Sequence, residues 1–124
     1  MTRPVLGRVL VVDDEDDIRN MLAVVLAAEG WVVDSAAGGG EALARCTRTT
    51  YDAVILDQRM PGIPGVEVAR RLTAHGFPGR LVLFSAYVDP EIERACAALG
   101  VVVVDKVDWY ALVDSLAEAV LVAS

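Results

Sequence analysis

The sequence predicts a single doubly wound α/β domain, in which helices cover both faces of a parallel sheet. Two observations support this prediction. Short β-branched runs alternate with amphipathic helical patterns along the chain, and most of these runs are apolar at nearly every position. Near-continuous apolar runs are typical of parallel strands that are buried on both faces. Because parallel crossovers are right-handed, a repeated strand–helix order places helices on both sides of the sheet.

Five runs are predicted as strands, and all but the second are almost entirely apolar. In chain order they are residues 8–12 (RVLVV), 31–36 (WVVDSA), 51–57 (YDAVILD), 80–85 (RLVLFS) and 101–104 (VVVV). We expect the flavodoxin-like strand order 2-1-3-4-5, which makes the first and third strands neighbours where the order reverses.

Helical periodicity fills the segments between the strands. Residues 18–26 carry apolar side chains at the spacing of one helical face, and residues 92–99 and 112–120 repeat this pattern. Asp89 followed by Pro90 predicts the start of the fourth helix. Gly30 and Gly100 each follow a helical stretch, where a left-handed residue commonly ends the helix.

Composition limits the possible classes of protein. The chain has 124 residues, of which 55% are hydrophobic, so residues 1–124 are predicted as one domain with a substantial core. With 18 acidic and 11 basic residues the net charge is −7, which argues against direct binding to nucleic acid or to an anionic membrane. No apolar run approaches the ~20 residues of a membrane span, and residues 1–8 lack the long apolar segment that is typical of a signal peptide. Cys46 and Cys96 are predicted as buried thiols, so we expect a cytoplasmic protein.

Polar side chains stand where the predicted strands end. Asp13 and Asp14 follow the first strand, Asp57 ends the third, and Ser85 and Lys106 mark the ends of the fourth and fifth. In a sheet of this order the ligand site lies beyond the carboxyl ends of the strands, so the three acids should converge there. Unneutralised carboxylates would raise one another's pKa. A hard cation removes that conflict, and Mg²⁺ typically takes one or two carboxylates, waters and a phosphoryl oxygen.

The chain resembles the receiver domain of bacterial two-component response regulators, including the single-domain chemotaxis type. The resemblance rests on the pair Asp13–Asp14, on ILDQRMPGIPG around Asp57, on Ser85–Ala86 and on Lys106, each after its expected strand. Any one of these features is weak, but the ordered set is specific. Gly62 and Gly65, within the motif, should let the backbone turn close to the site.

The resemblance implies that Asp57 is the phosphoacceptor. It would attack a phosphoryl group supplied by a sensor histidine kinase or a phosphotransfer protein, giving an aspartyl phosphate. Mg²⁺ (or Mn²⁺) would be held by Asp14, Asp57, the backbone carbonyl of Arg59, and Asp13 through water. The chain would not be an enzyme beyond metal-dependent self-phosphorylation and autodephosphorylation.

The resemblance also implies a switch. Lys106 would pair with Asp57 before the reaction and with a phosphoryl oxygen after it, while Ser85 would bond another phosphoryl oxygen. The response would remodel the surface of the fourth helix, fifth strand and fifth helix. That face would contact a downstream protein or an output domain missing from this sequence, and a homodimer through it is a further expectation. The chain is predicted either as a stand-alone receiver or as the front of a longer regulator.

Several positions depart from the family pattern. Lys106 is followed by Val107 instead of the usual proline with its cis peptide, so the bond is expected to be either trans or strained. Val103 replaces a common aromatic residue and is expected to stay packed. Arg59 and Tyr87 occupy the two variable positions beside the phosphoryl group, where their size should alter its lifetime.

Two other functions compete with this interpretation. A degenerate receiver would act as a phosphorylation-independent protein-binding module, and Val103 and Val107 favour it. The second competing function is that of a small phosphohydrolase with Asp57 as its nucleophile. The haloacid dehalogenase type needs an acid two residues after its nucleophile, where this chain has Arg59.

Overall fold

The structure is a computed structural model that describes residues 5–123, and the side chains of residues 5–120. Five strands alternate with five helices, as the sequence predicts. The strands are β1 Gly7–Val12, β2 Trp31–Ala36, β3 Ala53–Leu56, β4 Arg80–Ser85 and β5 Val102–Asp105. The helices are α1 Asp16–Glu29, α2 Gly39–Arg48, α3 Gly65–Ala74, α4 Pro90–Leu99 and α5 Trp109–Ala123. Among these helices, none combines the length and apolar character that crossing a membrane requires.

All strands are parallel and their order is β2-β1-β3-β4-β5, which confirms the predicted topology. In the register, Val12 at the end of β1 pairs with Leu56 at the end of β3. The N–H of Asp57 then donates to the carbonyl of Val12 at 3.0 Å. Because the two strands end side by side, the residues that follow them emerge next to each other.

The sheet separates two apolar cores, because successive side chains of a strand point to opposite faces. Val9 and Val11 of β1 pack in the core that includes residues of α1 and α5. Leu10 and Val12 pack in the core that includes residues of α2, α3 and α4. Burying side chains of this size contributes about 1.5–3 kcal/mol each, so the two-sided burial explains the apolar strands.

The predicted helix ends are confirmed. The Asp89 carboxylate accepts the Ile92 N–H at 2.9 Å and caps α4. Gly30 and Gly100 end their helices in the left-handed region, with φ of 107° and 73°.

Three strands differ from their predicted bounds: β1 begins at Gly7 instead of residue 8, β3 ends at Leu56 instead of residue 57, and β5 ends at Asp105 instead of residue 104. The starts of β3 and β5 differ as well. β3 begins at Ala53 instead of residue 51, because the Asp52 carboxylate, and not a backbone carbonyl, accepts the Arg8 N–H at 2.8 Å. β5 begins at Val102 because the N–H of Val101 donates to the Cys96 carbonyl at 2.9 Å and belongs to the end of α4.

The expectation that Val103 is packed is wrong. Val103 is 37% exposed. β5 lies at the edge of the sheet and pairs with β4 alone among the described strands, so its side chains have neighbours on one side only.

Candidate functional site

Three carboxylates converge at the carboxyl ends of β1 and β3. Oxygens of Asp13, Asp14 and Asp57 all lie within 4.8 Å of one another. Asp13 and Asp57 are only 2% and 6% exposed, whereas Asp14 is open to solvent. The sequence therefore predicted the position of this cluster correctly.

Asp13 has partners at both carboxylate oxygens. Oδ1 accepts the Glu15 N–H at 2.9 Å, and Oδ2 lies 2.9 Å from Lys106 Nζ. The Arg19 guanidinium donates to the backbone carbonyl of Asp13 and also pairs with the Asp16 carboxylate. Asp13 is thus fixed by bonds to its side chain and to its backbone, while Asp14 keeps its carboxylate available.

Lys106 bridges two of the acids. Its Nζ lies 2.9 Å from Asp13 Oδ2 and 3.5 Å from Asp57 Oδ2. Burial acts to lower the pKa of Lys106, but attraction to Asp13 and Asp57 outweighs it and the pKa is raised. The sequence predicted the longer of the two contacts and missed the shorter one. Nothing in the spacing distinguishes which carboxylate a long, flexible lysine side chain will prefer.

Burial raises the pKa of the Asp57 carboxyl above its ordinary value of 3.8, and the neighbouring Asp13 carboxylate raises it further. Lys106 opposes both effects without cancelling them. The folded state therefore holds its proton more tightly than the unfolded chain does. The free energy of unfolding therefore falls as the pH rises from the pKa of Asp57 in the unfolded chain to its raised pKa in the folded state. Above that range, the folded protein bears the full cost of the ionised carboxylate. A cation beside the carboxylate would remove this cost, and three oxygen donors around one point suit a hard divalent metal.

The loop after Asp57 returns close to the backbone of Asp57 itself, at Gly65. A Cβ on Gly65 would lie 2.3 Å from the carbonyl oxygen of Asp57, so only glycine fits there. Gln58 closes the turn, since its carbonyl accepts the Gly65 N–H at 3.2 Å and its Oε1 accepts the Val66 N–H at 2.8 Å. Gly62 supplies a positive φ of 82°. Both glycines let the chain turn beside the site, as the sequence predicts.

Ser85 and the loop after β4 form the other side of the site. The buried Ser85 hydroxyl accepts the Tyr87 N–H at 3.3 Å and lies 3.4 Å from the Tyr87 carbonyl. The Arg59 guanidinium carbon lies 3.8 Å from the centre of the Tyr87 ring. Such cation–π contacts contribute about 0.5–1 kcal/mol at exposed sites. The sequence placed both residues beside the site but gave no sign that they touch.

The peptide bond between Lys106 and Val107 is trans, because the described residues contain no cis peptide. The Val107 N–H donates to Asp105 Oδ1 at 3.1 Å, and the Asp108 N–H donates to the Asp105 carbonyl at 2.9 Å. The sequence left open whether this bond is trans or strained, and the trans form resolves that question.

A cavity of about 720 Å³ lies elsewhere, at the opposite end of the sheet. Its lining includes Leu6, Tyr51, Arg80 and Val120, and none of the converging acids. Cavity size therefore does not identify the functional site of this molecule, whereas the clustering of charge does.

The family follows from a direct comparison. The sequence model of the response regulator receiver domain matches residues 9–107. The chain belongs to this family. As a receiver, it is 32% identical over 93 residues to sporulation initiation phosphotransferase F of Bacillus subtilis, and the match covers 75% of each chain. It is 43% identical over 65 residues to the transcriptional regulatory protein ResD of B. subtilis, covering 52% of this chain and 27% of ResD. The receiver thus matches about a quarter of the length of that regulator.

Solved structures agree with the fold of this receiver. The response regulator TrrA of Thermotoga maritima, in complex with Mg²⁺ and BeF, superposes with a TM-score of 0.82 at 36% identity. The match covers 90% of this chain and 97% of TrrA. TrrA has also been solved in complex with the histidine kinase ThkA, and that structure superposes with a TM-score of 0.81.

Proposed function

We propose that this receiver accepts a phosphoryl group on Asp57 from a sensor histidine kinase or a phosphotransfer protein and thereby switches a protein-interaction surface. The observation that carries the proposal is the convergence of Asp13, Asp14 and Asp57 with the Lys106 ammonium at the edge where β1 and β3 end. The complex of TrrA with a histidine kinase supports a kinase as the partner.

Asp57 has the position that a nucleophile needs. An oxygen of its carboxylate attacks phosphorus while the bond from phosphorus to the donor breaks, and the leaving group takes that electron pair. Burial strengthens the electrostatic effect of neighbouring charges on this transfer, which depends on positioning and charge neutralisation. Lys106 is 3.5 Å from Asp57, close enough to turn its ammonium to an incoming phosphoryl oxygen.

The donor set fits Mg²⁺, with Mn²⁺ as an expected substitute. Asp14, Asp57 and the backbone carbonyl of Arg59 would hold the ion directly. Asp13 would do so through water, since both of its oxygens already have partners. The ion would neutralise charge on the carboxylates and on the phosphoryl oxygens. The solved complex of TrrA with Mg²⁺ and BeF supports this assignment.

Ser85 is proposed to report the modification. Its hydroxyl bonds weakly to the Tyr87 backbone, at distances of 3.3 and 3.4 Å. It also lies near enough to Asp57 to act against the raised pKa of that carboxyl. A phosphoryl oxygen on Asp57 would be a charged and therefore stronger partner. The loop after β4 would then lose an anchor whenever Asp57 is phosphorylated.

The output is proposed to be a protein contact through the surface of α4, β5 and α5, either with a downstream protein or output domain or with a second copy. Exposed apolar side chains in or next to these elements include Val103, Val107 and Tyr110. We also propose that residues 1–124 form one cytoplasmic receiver domain. A phosphorylation-independent binding module is not favoured, because it would not require the assembled acids and lysine.

Labelling with acetyl phosphate tests the function. The parent chain should take up one phosphate per molecule, and Asp57→Asn or excess chelator should abolish the label. Asp114→Asn is the matched control, since Asp114 is an exposed carboxylate on α5 and should label normally. Undiminished label in Asp57→Asn would refute the assignment, and continuing turnover would indicate a phosphohydrolase.

A further inference from the structure

The segment that carries Lys106 is held by hydrogen bonds on both sides of that residue. The Lys106 N–H donates to the Ser85 carbonyl at 3.3 Å, across the β4–β5 pair. Asp105 Oδ1 accepts the Val107 N–H at 3.1 Å, and the Asp105 carbonyl accepts the Asp108 N–H at 2.9 Å. A side-chain carboxylate that accepts the N–H two residues later forms an Asx-turn, which fixes the backbone between them.

We infer that Asp105 is a positioning residue for Lys106, because its carboxylate fixes the turn that points the ammonium at Asp13 and Asp57. The inference rests on the proposed function of the site. Lysine has a long, flexible side chain, and the direction in which it leaves the backbone determines which groups its ammonium can reach. The observed contact of 2.9 Å to Asp13 requires that direction to be maintained.

Residue 107 contributes its backbone and not its side chain. Val107 is 81% exposed, so its side chain has little packing with which to hold the turn. Its N–H is the donor to Asp105, and a proline would have no N–H to donate. Valine at position 107 is therefore compatible with an ordered Lys106, because Asp105 lies two residues before it and accepts its N–H.

The effect of Asp105 runs through the backbone. Burial acts to lower the pKa of Lys106, but attraction to Asp13, Asp57 and Glu15 raises it overall. Asp105 is exposed at the far side of the turn and forms no ion pair with the ammonium among the described residues. A role through direct charge is thus distinguishable from a role through the turn.

Substitutions at position 105 separate these roles. Asp105→Ala removes the acceptor, and we expect acetyl phosphate to label Asp57 about fivefold more slowly at saturating Mg²⁺, from the loss of one hydrogen bond. Asp105→Asn keeps a carbonyl oxygen in the same place and should stay within about twofold of the parent. Asp114→Asn, which changes an exposed carboxylate outside the turn, should leave the rate unchanged. The Mg²⁺ concentration for half-maximal labelling should not move in any of them.

A double-mutant cycle tests whether Asp105 acts through Lys106. In a Lys106→Met background, adding Asp105→Ala should leave the residual rate unchanged. An equal slowing in both backgrounds would reveal a general structural role and overturn the inference. Equal losses in Asp105→Ala and Asp105→Asn would do the same, because charge would then be responsible, and so would a normal rate in Asp105→Ala.

A second readout does not depend on phosphorylation. The side-chain NMR signals of Lys106, which report its contact with Asp13, should shift in Asp105→Ala and not in Asp105→Asn. Unchanged Lys106 signals in the alanine variant would overturn the positioning role. Absence of Asp57-dependent labelling in the parent would instead refute the proposed function, so the two failures are distinguishable.

Discussion

The two sides of the cleft differ in how firmly they are held. On the β1–β3 side, Asp13 and Asp57 are 2% and 6% exposed, and Asp13 makes contacts of 2.9 Å at each oxygen. On the β4–β5 side, the Ser85 hydroxyl bonds weakly at 3.3–3.4 Å, Tyr87 is 61% exposed and Val103 is 37% exposed.

This difference suggests a division of labour. Charges that must neutralise a transferred phosphoryl group act best when they are already in place, because no reorganisation is then needed. Segments that respond to the modification must instead have alternatives of similar free energy, and few buried contacts make a segment easy to move. The β1–β3 side, together with the Lys106 ammonium that contacts it, therefore suits the chemistry, and the loop after β4 suits the response.

The largest expected effect on stability comes from a substitution at Gly65, on the firmly held β1–β3 side of the cleft (the firm side). A methyl group there would lie 2.3 Å from the Asp57 carbonyl oxygen, and backbone cannot yield as a flexible side chain can. We expect Gly65→Ala to lower the free energy of unfolding by about 3 kcal/mol, measured by urea denaturation. Gly40→Ala is the control, because Gly40 also lies in the first turn of a helix and its Cβ would meet nothing within 4 Å. Equal stabilities of the two variants would show that the Asp57 loop is not tightly packed.

The second effect is stabilisation of the firm side by Mg²⁺. A ligand at 100 times its dissociation constant adds about 2.7 kcal/mol, which corresponds to roughly 10 °C in the melting temperature of a domain of this size. The increase should be much smaller in Asp14→Ala. Because the pKa of Asp57 is raised by its burial and by Asp13, protonation competes with the metal as pH falls, and the increase should shrink in acidic buffer. A melting temperature independent of Mg²⁺ in the parent would contradict the metal site.

Sequence reasoning was most successful on the firm side. The predicted strand order and apolar strand runs were sufficient to bring Asp13, Asp14 and Asp57 together, because backbone register fixes where strand-end residues emerge. It failed where side-chain length decides the outcome. The contact of Lys106 with Asp13 and the stacking of Arg59 on Tyr87 depend on rotamers of flexible side chains, which no periodicity encodes. The exposure of Val103 depends on its edge strand, whose apolar run resembles that of a central strand.

The third prediction concerns the contact between the two sides. Arg59 stacks over the Tyr87 ring. We propose that this pair lies beside the approach of water to the phosphorylated Asp57. Replacing both residues, as Arg59→Asn with Tyr87→Glu, removes the stacked pair and supplies side chains that can orient a water. We expect the phosphate to be lost about two- to fivefold faster, which corresponds to the energy of the contact. The rate is measured as the loss of the phosphate label from the protein in buffer that contains no chelator. An unchanged half-life of the label would show that the pair does not shield the phosphate.

The smallest expected effect concerns the less firmly held side of the cleft, which comprises the loop after β4 and the edge strand β5. Val103 is short, β-branched and stiff at χ1, so it cannot transmit the switch as a rotating aromatic ring would. A phosphoryl group shifts an equilibrium only through its different interaction with the two states. Two groups contact Tyr87: the Ser85 hydroxyl bonds to its backbone, and the Arg59 guanidinium stacks on its ring. Phosphoryl oxygens attract both of these groups. Adding a beryllofluoride mimic should therefore shift the backbone amide signals of residues 85–89 more than those of β5. Changes concentrated on residues 101–105, with the loop unchanged, would place the response on the edge strand and reverse the assignment.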